Sequence, residues 1–202
     1  MIKLVGMMDS PYVRRVAISL ELYGVKFESQ PLSVFSTFDA FSRINPAVKA
    51  PTLVLDNGIR LMDSSRILNY FEAQAAPERR LLPVAPDALA NVLQTLGFIL
   101  AAAEKAVQNV YEHNLRPVEK QHVSWVERIT IQLLAACREW NTLLEGRPAT
   151  AVPDQVAVTS TVVWTFIQSM IPQVVNAADF RTIQAFAESF ESQPAFKKYP
   201  FN

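Results

Sequence analysis

The sequence predicts a small domain that combines a mixed β-sheet with helices, followed by an all-helical domain. Three observations support this fold class. A strand, a helix and a second strand succeed one another within residues 3–32, which is the arrangement of a parallel β-α-β unit. The turn sequence Asp56–Asn57–Gly58 separates two short apolar runs and is typical of a β-hairpin. Beyond Asp87, every long segment carries apolar residues at helical spacing.

The first three elements have clear start and stop signals. Residues 3–7 are predicted to form a short buried strand. Ser10 and Pro11 predict a helix start, because a hydroxyl suits the N-cap and the fixed φ of proline suits the first helical position. Gly24 ends that helix in the usual left-handed conformation. Residues 26–32 are then predicted as the second strand.

A loop, a hairpin and a helix complete the predicted sheet domain. The region 27–41 carries four phenylalanines. The part of this region that follows the second strand is predicted to be a loop. Residues 52–55 and 59–62 are the two strands of the hairpin. Asp63 and Ser64 offer N-cap chemistry for the helix that follows. The predicted order is therefore β-α-β, a loop, and β-β-α.

Prolines 77, 83 and 86 mark a connector between the two domains. The sequence therefore predicts a sheet domain over residues 1–80 and an all-helical domain over residues 81–202. The stretch between Asp154 and Asp179 holds no charged residue, but hydroxyl side chains and a proline interrupt it. It therefore suits a buried helix better than a membrane span of about 20 apolar residues.

Composition argues against several classes of protein. Lys+Arg and Asp+Glu both number 19, so the basic excess of a nucleic-acid binder is missing. Two histidines and one cysteine, Cys137, are too few for a soft metal site. The five scattered glycines form no phosphate loop. A single cysteine allows no disulfide within the chain and favours a reducing compartment, so we expect a cytoplasmic protein. From the composition and the interrupted apolar stretch together, we expect no metal, no nucleic-acid partner and no membrane partner.

Three polar clusters in the sheet domain are the candidates for chemistry. They are Ser10–Pro11 at the first strand–helix turn, Lys49–Ala50–Pro51 before the third strand, and Asp63–Ser64 at a helix start. Each has an ordinary structural explanation as a helix cap or as a proline at the beginning of a strand. Their occurrence together, in this order of elements, favours a binding site.

The chain resembles the cytosolic glutathione transferases over nearly its whole length, in the bacterial form with a serine in the active-site loop. The matching stretches are SPYVRRV (10–16), NPAVKAPTLVLDNG (45–58), LMDSSRILNYF (61–71), LLEGRPATAVPDQVAV (143–158) and FESQPAFKKY (190–199). This resemblance implies a thioredoxin-like N-terminal domain, a C-terminal helical bundle and usually a homodimer.

The resemblance also implies that glutathione is the co-substrate. Pro51 would be the family's cis-proline, and the backbone of Ala50 would pair with the cysteinyl part of glutathione like an added strand. Asp63 would bind the γ-glutamyl ammonium. Ser64, at a helix N-terminus, would bind the α-carboxylate. Lys49 would reach the glycyl carboxylate.

Ser10 would then face the thiol of glutathione. A thiol with a pKa of about 8.5 is only a few per cent ionised at pH 7. A hydroxyl that donates to the thiolate contributes about 1.5–3 kcal/mol, and the helix N-terminus adds about 0.3–1 kcal/mol. Together they suffice to lower the thiol pKa by about two units. Ser10 is therefore expected to activate the thiol as a hydrogen-bond donor, without a covalent bond.

One departure from the family concerns the central helix of the helical domain. That helix usually opens with Ser or Thr three residues before its Asp. Here Ala151 holds that place before Asp154, and Thr150 lies one step early. The missing cap is expected to cost about 1 kcal/mol, away from the ligand site.

An apolar acceptor pocket is the least specific of these expectations. Met8 and Phe35 would lie near the sulfur, and Tyr111 and Trp164 would line the helical wall, although all four are also typical core residues. The prediction is an enzyme that joins glutathione to a hydrophobic electrophile, with a role in detoxification. The alternatives are a glutathione-dependent peroxidase or isomerase, or a non-enzymatic stress-linked adaptor of the same fold. The retained polar clusters favour an enzyme.

Overall fold

The computed structural model of the chain describes residues 1–147 and 152–202. They form two units, one of Met1–Leu82 with Ser192–Asn202 and the other of Pro83–Glu191. The sequence placed the boundary at residue 80 and assigned the whole remainder to the helical domain. In the structure, the last eleven residues instead pack with the sheet unit.

The first unit contains, in chain order, β1 (Lys3–Val5), α1 (Pro11–Tyr23), β2 (Glu28–Gln30), α2 (Phe38–Ile44), β3 (Thr52–Val54), β4 (Arg60–Met62) and α3 (Ser64–Glu72). The second unit contains α4 (Pro86–Leu115), α5 (Val123–Leu143), α6 (Gln155–Met170) and α7 (Arg181–Glu191), after which the chain returns to the first unit as α8 (Pro194–Lys198). This architecture confirms the predicted fold class, a thioredoxin-like sheet domain joined to a helical one.

The sheet has the strand order β2-β1-β3-β4. Strand β1 runs parallel to β2, with Lys3 opposite Glu28. It runs antiparallel to β3, with Val5 opposite Thr52. Strands β3 and β4 pair antiparallel. The parallel β-α-β unit and the hairpin predicted from local signals are both confirmed.

The predicted caps of α1 are present. The Oγ atom of Ser10 accepts a hydrogen bond from the N–H of Val13 at 3.4 Å. At the other end, Gly24 adopts φ 77°, and its N–H donates to the carbonyl of Glu21. A side-chain acceptor at the start and a left-handed glycine at the end therefore fix the length of this helix.

The prediction of an uninterrupted loop after β2 is wrong, because α2 forms there. Phe41 is the buried residue of this seven-residue helix. Thr37 occupies its N-cap without a side-chain capping hydrogen bond. A helix with one buried apolar anchor and no cap signal has no stripe that a periodicity search can detect. The observed order is β-α-β-α-β-β-α.

The C-terminal segment belongs to the first unit because it is fastened to α1. Arg14 donates from Nε to the carbonyl oxygen of Tyr199 at 2.7 Å. The ring of Tyr199 stacks on Phe27, with the ring centroids 5.6 Å apart. Lys198 pairs with Glu21 at 2.7 Å, and the hydrogen bond from Lys198 lowers the pKa of that carboxyl.

The uncharged helix α6 is the core helix of the second unit, as predicted. Residues 155–164 are all buried. The Trp164 ring makes edge contacts with Trp140 and Phe180, at centroid distances of 6.0 and 6.2 Å. A helix enclosed on all sides has no solvent-facing stripe for charged residues, which explains its composition.

Asp154 caps α6 with its own side chain. Its Oδ1 accepts a hydrogen bond from the N–H of Ala157 at 2.9 Å, and Arg147 forms an ion pair with its other oxygen. The two residues compared with the family's usual cap, Thr150 and Ala151, lie outside the described residues.

Within the described ranges, α4 is the helix that is long and apolar enough to cross a membrane, and a third of its most apolar window is buried. One such helix is weak evidence for a span, because core helices of globular proteins have the same length and composition.

Substitution of Gly6 by Ala tests the packing of α1 on the end of β1. Gly6 has φ 140°, and a Cβ there would lie 2.5 Å from Cγ2 of Val13. We expect Gly6→Ala to lower the free energy of unfolding by about 2–4 kcal/mol, from steric overlap together with the unfavourable φ. Gly58→Ala is the control, because its φ is 84° and its Cβ would meet open space, so it should cost only about 1 kcal/mol. Equal losses of unfolding free energy in the two variants, measured by urea denaturation, would contradict the close contact between Gly6 and Val13.

Candidate active site

The N-terminal half of α1 brings the three predicted polar clusters into one region. Gly6 contacts Val13 of α1, and a Cβ at Gly6 would also lie 3.3 Å from the Cβ of Ala50. On another face of the helix, Nη1 of Arg15 donates to Oγ of Ser64 at 3.2 Å. The start of α1 therefore lies close to the 49–51 segment and is bonded directly to the start of α3.

Ser10 presents a hydroxyl group with an unused proton at the start of α1. Its oxygen accepts the long hydrogen bond from Val13, and the side chain is half-buried. Within the described ranges, no group accepts a hydrogen bond from this hydroxyl. Ser10 can therefore donate to an anion, beside a helix N-terminus that also favours negative charge.

The second cluster presents backbone groups. The Ala50–Pro51 peptide bond is cis. Ala50 is half-buried, and its N–H and C=O have no backbone hydrogen-bond partner among the residues that the structure describes. These groups can pair with an extended ligand as an edge strand does. The side chain of Lys49 is exposed beside them.

The third cluster is the N-terminus of α3. Oδ1 of Asp63 accepts hydrogen bonds from the N–H groups of Ser65 and Arg66 at 2.9 and 3.1 Å. Ser64, the first residue of the helix, is buried. The capping function that Asp63 would have in any helix is thus present, and the position also suits the binding of an anion at Ser64.

Arg15 is the residue of this region that sequence reasoning missed. Its side chain is 3% exposed, and Nη1 donates to the hydroxyl oxygens of Ser64 and Ser65 at 3.2 and 3.4 Å. Burial lowers the pKa of the guanidinium to about 10, while the nearby Asp63 acts in the opposite direction. Its Nε has no partner among the described residues. Arginine is rarely buried, so its position inside an apolar helix pattern was the available signal.

Residues 4–79 match the family described as Glutathione S-transferase, N-terminal domain. The chain is 32% identical over 130 residues to the uncharacterized GST-like protein YibF of Escherichia coli (strain K12), covering 58% of this chain and 63% of that protein. It is also 32% identical over 71 residues to Glutathione S-transferase U7 of Arabidopsis thaliana, covering 35% and 31%. The matches thus span less than two thirds of either relative. The similarity to this family's N-terminal domain covers residues 4–79, which is most of the first unit.

Solved structures of glutathione S-transferases share the fold of this chain. One from Methylobacterium radiotolerans, in complex with glutathione sulfonate, has a TM-score of 0.89 at 22% identity, over 100% of this chain and 95% of that one. Another from Methylobacillus flagellatus, with glutathione bound, has a TM-score of 0.89 at 19% identity, over 98% of both chains. At these identities the likeness establishes the fold.

The predicted acceptor residues of the chain lie in both units. In the first unit, Met8 packs half-buried against the core, and Phe35 is 52% exposed. In the second unit, Tyr111 lines a cavity of about 500 Å³ between α4 and α5. Trp164 is a core residue whose Nε1 donates to Oε1 of Gln184 at 2.6 Å, which favours a packing role. Their contact with an acceptor stays a prediction.

Titratable groups outside the three clusters offer little further chemistry. No cluster of three or more His, Cys, Asp or Glu side chains that could hold a metal occurs within residues 1–147 and 152–202. Cys137 is fully buried in α5, and burial raises the pKa of its thiol to about 12. A buried thiol with a raised pKa is a poor nucleophile.

The native protein should therefore be inert to a thiol reagent. At pH 8, a pKa of about 12 leaves roughly one thiol in ten thousand as thiolate. We expect 5,5′-dithiobis(2-nitrobenzoic acid) to react with Cys137 over hours in the native state and within seconds in guanidinium chloride. Rapid release of one equivalent of thionitrobenzoate from the native protein would contradict the burial of this group.

Proposed function

We propose that this protein binds glutathione and activates its thiol for attack on a hydrophobic electrophile. The observation that supports this most is the convergence of three features at α1: the Ser10 hydroxyl, the backbone groups of Ala50 and the N-terminus of α3. Among the described residues, neither the Ser10 proton nor the Ala50 backbone has a hydrogen-bond partner. Glutathione carries a thiol, a peptide backbone and charged ends, which correspond to these three features. Related structures with glutathione or glutathione sulfonate bound add support.

The γ-glutamyl end would bind at α3. Arg15 donates to the oxygen of the Ser64 hydroxyl, so the proton of that hydroxyl points elsewhere and can be donated to the α-carboxylate. The helix N-terminus adds favourable potential for the same anion. Asp63 would accept from the adjacent ammonium. Local charge complementarity of this kind lets a chain of zero net charge bind a charged ligand.

The cysteinyl and glycyl parts would bind along the 49–51 segment. The N–H and C=O of Ala50 would pair with the cysteinyl backbone as an added strand. The exposed ammonium of Lys49 would then pair with the glycyl carboxylate. Two backbone hydrogen bonds fix the direction of the tripeptide and direct its thiol towards Ser10.

Ser10 would stabilise the thiolate. The thiol loses its proton to solvent, and the hydroxyl donates a hydrogen bond to the resulting sulfur anion. This anion attacks the electrophile, so that a carbon–sulfur bond forms and the leaving group departs with its electron pair. The hydroxyl keeps its own proton, and no bond forms between Ser10 and either substrate.

The acceptor, the assembly state and the location complete the proposal. An apolar electrophile would bind near Met8 and Phe35 of the first unit. The contact of Tyr111 and Trp164, in the second unit, with this electrophile stays a prediction from the sequence. We propose a cytoplasmic homodimer with a role in detoxification, consistent with the sequence prediction.

Calorimetric titration with glutathione tests the proposal directly. We expect saturable binding below millimolar ligand. In an assay panel of an aryl halide, a hydroperoxide and a disulfide, we expect conjugating activity with the aryl halide. An absence of binding at millimolar glutathione would contradict the proposal and favour the adaptor. Activity with the hydroperoxide alone would indicate a peroxidase.

Ser10→Ala tests the assignment of the donor. Loss of a hydrogen bond to an anion removes about 1.5–3 kcal/mol, which should raise the pKa of the bound thiol by about one to two units. Because the donor lowers the pKa, its removal moves the pH–rate profile to higher pH. The rate of conjugation should fall about 10- to 100-fold at pH 6.5 and recover above pH 9. Thiolate absorbance near 240 nm reports the pKa directly.

Ser10→Thr is the matched control, because it keeps both the hydroxyl and a capping oxygen for α1. It should retain most of the activity at pH 6.5. An unchanged thiol pKa in Ser10→Ala would show that another group stabilises the thiolate.

A further inference from the structure

Two buried polar side chains enclose the segment that carries Lys49 and Ala50. Asn45 is the C-cap of α2 and is 5% exposed, while Thr52 begins β3 and is fully buried. A buried amide or hydroxyl group is costly unless it forms hydrogen bonds. The hydrogen-bond partners of these two side chains therefore indicate their structural role.

Both side chains direct their hydrogen bonds to the segment between them. Nδ2 of Asn45 donates to Oγ1 of Thr52 at 2.8 Å, and that hydroxyl donates to the carbonyl of Lys49 at 2.6 Å. Oδ1 of Asn45 accepts from the N–H of Ala47 at 3.0 Å, and its backbone carbonyl accepts from the N–H of Val48 at 2.9 Å. We call this pair of residues the Asn45–Thr52 clamp.

The clamp is anchored to the middle of the sheet. Thr52 pairs with Val5 of β1 on one side and with Met62 of β4 on the other. Nδ2 of Asn45 also lies 3.3 Å from Sδ of Met62. The segment is therefore held against β3, an inner strand of the sheet, and not only against its neighbours in the chain.

Val48 shows that the segment does not adopt its conformation by local preference. Its φ is 47°, in the left-handed region. A β-branched residue is an outlier there, and such a conformation persists only where the surroundings over-determine it. The clamp supplies that constraint, because it fixes the N–H of Val48 itself and the carbonyl of Lys49, the next residue.

We propose that Asn45 and Thr52 are positioning residues for glutathione, which hold Ala50 and Lys49 in the conformation that receives the tripeptide. This inference rests on the proposed function. The clamp residues would not touch the ligand. They would order the unpaired N–H and C=O of Ala50 before binding, so that less conformational entropy is lost when glutathione binds.

Amide hydrogen exchange in the free protein tests the clamp without any ligand. Thr52→Val is nearly isosteric and removes the hydroxyl that donates to the Lys49 carbonyl and accepts from Nδ2 of Asn45, which keeps its contact with Sδ of Met62. We expect the N–H groups of Ala47 and Val48 to exchange at least tenfold faster, relative to the amides of α1. Thr52→Ser keeps the hydroxyl, so the same N–H groups should exchange as slowly as in the unmodified protein. Unchanged exchange in Thr52→Val would overturn the clamp.

The dissociation constant of glutathione tests the positioning role. Thr52→Val should raise it about tenfold, while kcat at saturating glutathione changes less than threefold, because the Ser10 hydroxyl is untouched. Tyr23→Phe is the matched control, since it removes another hydroxyl hydrogen bond in the same unit, 2.7 Å from Oε2 of Glu72. It should lower stability and leave the dissociation constant unchanged. An equal loss of affinity in both variants would indicate a merely structural effect and overturn the positioning role.

Two further comparisons keep the outcomes distinct. If Thr52→Val does not fold, Asn45→Ala removes the other half of the clamp and should show the same exchange and affinity changes. Absence of glutathione binding by the unmodified protein would overturn the proposed function and, with it, the positioning role. Normal binding by the unmodified protein, with an unchanged dissociation constant in the clamp variants, would overturn the clamp proposal alone.

Discussion

Helix α1 approaches the end of β1 at Gly6 more closely than a side chain there would allow. The methyl group of an alanine would overlap Val13 and press on Ala50, so one contact fixes the distances between the strand, the helix and the 49–51 segment. The other faces of α1 depend on the same placement. Arg14 and Arg15, adjacent in the chain, point to different partners, the C-terminal segment and the start of α3.

The candidate site includes groups whose burial is costly. Arg15 carries its charge in the interior, where two hydroxyl groups accept from its Nη1 and, among the described residues, none pairs with its Nε. Val48 occupies a conformation that its side chain disfavours. Neither feature improves the packing of the core, and replacing a buried charge with an apolar group is often neutral or stabilising. Both costly features lie beside the three polar clusters. Such features are expected at a binding site, because a site needs its polar groups held in fixed positions.

Sequence reasoning succeeded where a local signal decided the structure. Ser10 and Gly24 predicted the ends of α1 because capping depends on the residue at the cap itself. The turn at residues 56–58 predicted the hairpin for the same reason. Helix α2 was missed because it buries one residue and has no side-chain cap. The attachment of the C-terminal segment was also missed, because its contacts with Arg14 and Phe27 join residues more than 170 positions apart.

The sequence by itself determined the order of the strands and of the helices other than α2 and α8. It also determined the helix caps in the sheet unit and the three polar clusters. Each of these is a property of a few neighbouring residues. Only the tertiary structure decided which polar residues lie behind those clusters. Arg, Asn and Thr are residue types that are mostly exposed, yet the structure buries Arg15, Asn45 and Thr52. Burial depends on which distant segments pack over a side chain. The same packing supplies the hydrogen-bond partners that offset the cost of burying a polar group.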